Sequence, residues 1–117
     1  MAGFPNLFML VGPSTDLGHN SIIFMIEAQV DYIIQALKTL SQSSHTTLKV
    51  RPAAQTQDYA AIQQKMKTTV WATGCHSYYQ SADGRIDTLW PGFTWQYWLN
   101  TRRFDAAQYE LTGGGPA

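Results

Sequence analysis

Cysteine is almost absent from this chain: Cys75 stands alone. A single thiol can neither close an intramolecular disulfide nor build a multi-cysteine zinc site, and it fits a reducing compartment. Net charge is missing as well, because eight basic side chains offset eight acidic ones. Without a basic field, neither nucleic acid nor an anionic membrane surface is an expected partner. No uninterrupted apolar run reaches the length of a secretory or membrane-spanning segment, so the chain reads as soluble and cytoplasmic. Repeats and charge runs are absent too. Residues 112–117, with three glycines, read as a flexible tail after a unit spanning 1–111. His19, His45 and His76 have no ligand-like spacing, and no metal site is expected.

What the chain has is aromatic bulk. Trp71, Trp90, Trp95 and Trp98, with Tyr78, Tyr79, Phe93 and Tyr97, crowd its second half. Large aromatics bury much apolar area each, and core packing is the preferred reading for most of them over a ligand pocket.

The hydrophobic pattern predicts an α+β order of elements. Residues 7–11 form a continuous apolar run before Gly12-Pro13, the signature of a strand buried on both faces. A loop of small residues follows, and Asn20 or Ser21 can cap a helix running to about Leu40. Ile22, Ile26, Ile33, Leu37 and Leu40 make one stripe of that helix, while Ile23, Phe24, Met25 and Val30 extend the apolar surface around its first turns. A helix apolar on every side is surrounded by protein. Glu27, Asp31, Gln35 and Lys38 form its expected solvated face. A short strand is predicted over 48–51, and Pro52 opens a helix at about 54–69 with Tyr59, Ile62, Met66 and Val70 on one face. Residues 75–80 and 85–90 flank Asp83-Gly84, which predicts a β-hairpin. Residues 93–104 lean to a short aromatic-rich helix, after which Asp105 can cap a last turn.

A doubly buried strand needs neighbours on both edges and helices over both faces. This chain offers few candidates, so the pattern reads as the last strand-loop-helix unit of a Rossmann-like sheet, with an appendage of helix, hairpin and short helix. Any earlier strands would lie upstream.

The residues of that unit carry a resemblance. Phe4-Pro5-Asn6-Leu7-Phe8-Met9-Leu10, then Gly12-Pro13, Thr15, Leu17-Gly18-His19-Asn20-Ser21 and a helix bearing Glu27 resemble the final strand, loop and helix of flavin-containing and Baeyer–Villiger-type monooxygenases. Cys75-His76-Ser77-Tyr78-Tyr79, Gly84-Arg85, Trp90-Pro91-Gly92 and Thr101-Arg102-Arg103-Phe104 resemble the end of the same proteins. The resemblance implies a parent that uses FAD and NADPH to insert oxygen into a ketone or to oxidise a soft heteroatom. The dinucleotide-binding GxGxxG fingerprints of that family are not in this sequence. The resemblance therefore implies a C-terminal part of the FAD domain that binds no cofactor and catalyses nothing by itself.

Within it, Gly12, Pro13, Leu17, Gly18, Asn20 and Ser21 are the expected cofactor-binding residues, where a helix start can face the electron-rich side of a flavin. Leu17 and His19 are expected to line the substrate space, although His19 could instead hold the helix start. Ser14, Asp16 and Tyr78 depart from residues common in relatives.

Other candidates read more plainly as structure. Cys75 and His76 are neighbours on a predicted strand and point to opposite faces, so they form no nucleophile–base dyad. Asp16 and Asp87 read as solvated carboxylates, and Arg102-Arg103 as a surface pair stacking on an aromatic. A unit cut from a larger sheet exposes its strand edge and apolar helix, so self-association as a homodimer is expected. The alternative to the enzyme-fragment reading is a stand-alone, self-associating binding or assembly module derived from a flavoprotein.

Overall fold

The computed structural model describes residues 1–15, 21–69, 81–83, 85–86 and 89–114. Three helices and one small antiparallel sheet make an α+β arrangement: α1 (Ile22–Gln42), β1 (Thr47–Val50), α2 (Pro52–Met66), α3 (Thr94–Thr101), a single 3₁₀ turn (Ala106–Gln108) and β2 (Tyr109–Thr112).

Helix α1 starts where the sequence places it. Ser21 takes the N-cap position in extended conformation, without a side-chain capping bond to the helix, and the Ser43 N–H closes the far end on the Leu40 and Thr39 carbonyls. Helix α2 begins on Pro52, whose fixed φ and missing N–H suit the first helical turn. Helix α3 resolves the ambiguity of residues 93–104 in favour of helix, and the Gln96 side chain reaches back to accept from the Phe93 N–H at 3.1 Å. Gly92 makes that entry feasible: a Cβ there would lie 2.6 Å from Gln96 Oε1 and 3.1 Å from Trp90 Nε1. Asp105 caps the 3₁₀ turn as expected, accepting from the Ala107 N–H.

Strand β2 is the element the sequence did not announce. It pairs antiparallel with β1 in the register Thr47↔Thr112, Leu48↔Leu111, Lys49↔Glu110, Val50↔Tyr109. Lys49 and Glu110 meet at 3.0 Å across the ladder, but both are over a third exposed, so the pair adds little to stability. The strand expected at 7–11 does not form. Asn6, Val11 and Ser14 all have positive φ, and the segment instead docks on β1 through Asn6, whose N–H donates to the Leu48 carbonyl at 2.9 Å and whose Oδ1 accepts from the Leu48 N–H at 2.8 Å. A strand requires partners along its edges, and among the described residues β1 is already paired with β2.

Of the predicted hairpin, residues 75–80 and parts of the second arm lie outside the described residues. Between the predicted arms, the Ser81 N–H donates to the Arg85 carbonyl at 2.8 Å.

Packing is concentrated in two places. Met66, Ile86 and Leu89 form a buried cluster under the end of α2, which Gln63 ties to the Ile86 carbonyl at 2.9 Å. Trp90 is buried beside it, with Tyr97 edge-on at 5.2 Å. On the other side, α1 packs against α3. Gln35, expected on a solvated face, clamps the α3 exit: its amide donates to the Arg102 carbonyl at 3.0 Å and accepts from the Phe104 N–H at 3.0 Å. Tyr32, Phe104 and Tyr109 then meet in a row, edge-on at 5.3 Å and tilted at 4.8 Å between ring centroids.

Much apolar surface remains uncovered. The radius of gyration is 16.0 Å, against about 13 Å for a compact domain of this length. Ile23, Val30, Ile34 and Leu37, spaced to lie along one face of α1, are 59%, 38%, 43% and 49% exposed. Phe93, Trp95 and Trp98 are exposed too, against the core packing expected of them, whereas Trp90 is buried; Trp71, Tyr78 and Tyr79 lie outside the described residues. Phe93 and Trp95 stack on each other at the surface, and Arg102 lies over the Trp98 ring at 5.8 Å, the stacking expected of the arginine pair. Among the described residues, no helix is long and apolar enough to cross a membrane.

Candidate functional site

A cleft of about 500 Å³ opens between the N-terminal segment, α1, α2 and α3. Its walls are mainly apolar, from Leu7, Phe8, Met9, Pro13, Ile33 and Ile62. Gln29 and Tyr32 of α1, Asp58 and Tyr59 of α2, and Tyr97 of α3 supply the polar points. An apolar hollow with a few converging polar groups is the usual form of a small-molecule site.

Two of the sequence-predicted residues, Gly12 and Pro13, lie on this cleft. The loop they open is folded on itself, since the Thr15 hydroxyl donates to the Gly12 carbonyl at 2.6 Å. Ser21 sits apart, exposed at the start of α1. Leu17, Gly18, His19 and Asn20 lie outside the described residues, as do Asp16, Asp87, Cys75 and His76. Gln29, Tyr32 and Asp58 were not singled out from sequence, and Tyr97 was named only within the aromatic group read as core. The signal for Gln29 was there: it is a polar residue one helical turn from Met25, on the face where Met25, Ala28 and Ala36 are buried.

The electrostatics of the cleft favour neutral groups. Burial pushes the Tyr32 phenol far above its ordinary value, and its hydrogen bond to Tyr109, hydroxyl to hydroxyl at 2.9 Å, adds to the rise. Tyr97 is also raised by burial, partly offset by a hydrogen bond from Gln29. Partial burial raises the Asp58 carboxyl above the usual range, with the attraction of Lys65 working the other way. Among the described residues lining the cleft there is no lysine or arginine. Among the described residues, no cluster of His, Cys, Asp or Glu could hold a metal ion.

The tyrosine pair makes alkaline pH informative. In the unfolded chain Tyr32 loses its proton near the ordinary value of 10.0, whereas the folded state keeps the proton to higher pH. The stability it supplies is therefore complete below pH 10 and is lost as the pH rises beyond it. Tyr97 and Tyr109, both raised by burial, act in the same direction. Tyr32→Phe should lower stability by about 1 kcal/mol at neutral pH and flatten the alkaline decline. Thermal melts at about pH 8 and about pH 11 check this, and equal slopes in the two proteins would refute it.

No family model matches the chain, and no solved structure does. Named relatives do. The chain is 47% identical over 113 residues to a Baeyer–Villiger monooxygenase of Pseudomonas aeruginosa, a match covering 95% of this chain and 21% of that protein. It is 44% identical over 118 residues to a Baeyer–Villiger monooxygenase of Streptomyces coelicolor, covering 99% of this chain and 23% of that one. An FAD-binding monooxygenase of Aspergillus niger is 34% identical across 97% of this chain and 19% of its own length. Over nearly its whole length, the chain is thus a homologue of a segment of the FAD-binding monooxygenases. Within them it matches those named Baeyer–Villiger monooxygenases, consistent with a C-terminal region of such proteins. It spans about a fifth of the length of these relatives.

Proposed function

We propose that this chain is the C-terminal portion of a cytoplasmic, FAD- and NADPH-dependent monooxygenase that inserts oxygen into ketones or heteroatoms, and that alone it is inactive. The observation that carries the reading is identity of 44% to 47% across almost the whole chain to proteins named for that chemistry. The cleft supports it: Gly12 and Pro13 border a mainly apolar hollow with a few polar groups. In the parent, FAD would supply the oxygen chemistry. This chain's part is to present backbone at Gly12-Pro13 to one end of that cofactor, with Leu17, Gly18, Asn20 and Ser21 continuing the loop and His19 beside the substrate.

The test is an absorbance spectrum of the purified chain before and after incubation with FAD, followed by NADPH oxidation with a cyclic ketone. A colourless protein that retains no flavin and oxidises no NADPH is expected. Tightly held flavin with turnover would overturn the inactivity.

A second reading is favoured by the uncovered stripe of α1, which gives the isolated chain a surface for pairing with itself. We propose that alone it forms a two-fold homodimer through this helix. As a self-associating assembly module, it would need no flavin chemistry.

A further inference from the structure

Only two polar residues are buried among those described, Ser14 and Gln29, and both border the loop that begins at Gly12. Gln29, 7% exposed, ties the N-terminal segment to α1: its Oε1 accepts from the Val11 N–H at 2.9 Å.

Two physical arguments make this more than packing. A buried amide is unfavourable unless bonded, and a leucine or methionine at this position would fill the same space without that cost. Val11, moreover, has φ +52°, a left-handed conformation that β-branched side chains rarely adopt and that persists only where the surroundings impose it. The bond from Gln29 falls on that residue, directly before Gly12-Pro13. The Thr15 to Gly12 bond closes the loop internally but does not anchor it to a helix.

We propose that Gln29 is the positioning residue of the loop over 12–15. Its bearing on flavin rests on the function proposed above; the latch itself rests on the Gln29–Val11 hydrogen bond and the Val11 conformation.

Amide exchange of the full chain, read by NMR at Val11 with the β1 and β2 ladder amides as reference, tests the latch. Gln29→Met should speed exchange at Val11 on the order of tenfold, the loss expected for one buried hydrogen bond, and leave the ladder unchanged. FAD titrated into the same samples and followed by flavin fluorescence is expected to show no retained flavin; retained flavin would bear on the inactivity proposed above and not on the latch. Unchanged exchange at Val11 in Gln29→Met, or equal acceleration of the ladder amides, would overturn the latch.

Discussion

Leu89→Ala is expected to destabilise the chain by about 3 kcal/mol, within the range for deleting a fully buried leucine. Leu89 is 1% exposed and closes a cluster with Met66 and Ile86, each as deeply buried, so the vacated volume has little room to collapse. The cluster is also what fastens the segment around residues 86–90 to the end of α2, together with the Gln63 bond to Ile86. A loss of this size should lower the melting temperature by more than about 10 °C in a chain of this length. Leu99→Ala is the matched control, the same chemistry at a site 43% exposed on α3, and should change stability by well under 1 kcal/mol. Paired thermal melts decide the point. Similar losses from the two substitutions would mean that the buried cluster is not the mechanical centre of the fold.

The other large effect is on association. Ile34 and Leu37 keep 43% and 49% of their surface exposed, and a two-fold pair would bury each of them twice. At about 1 kcal/mol per half-buried side chain, Ile34→Lys with Leu37→Lys should weaken a dimer by about 4 kcal/mol, on the order of a thousandfold in dissociation constant. Two lysines brought together across the axis add repulsion. Sedimentation equilibrium of both proteins gives the comparison directly. A wild-type chain that stays monomeric at high micromolar concentration, or a double variant that associates as well as wild type, would remove the helix from the interface.

The sequence disclosed elements whose cause is local. Pro52 marked the start of α2, Asp105 the 3₁₀ turn, and the apolar periodicity of residues 22–40 the body of α1. It failed where the cause is distant. Tyr109 to Thr112 is a four-residue stretch that reads as the start of a glycine-rich tail and becomes a strand only because β1 offers it an edge. Residues 7–11 read as a strand by composition, yet extended backbone needs hydrogen-bonding neighbours, and the segment here is held by side chains from Asn6 and Gln29 instead. Gln35 looked solvated because helical spacing reports which face a residue is on and not which element will arrive there; α3 arrived. The candidate site follows the same division. Gly12 and Pro13 were legible as a turn, whereas Gln29, Tyr32, Asp58 and Tyr97 converge on the cleft only through the packing of three helices.

The contact between the Tyr32 and Tyr109 hydroxyls joins residues 77 positions apart, and β1 reaches β2 across a similar stretch. During synthesis, α1 therefore leaves the ribosome long before the residues that complete its surroundings exist. Contacts of such separation form slowly, because a long loop must close before they contribute. Until then the Tyr32 side of α1 lacks the Phe104 and Tyr109 contacts that it has in the folded chain, which makes this the interval in which a chaperone has most to bind.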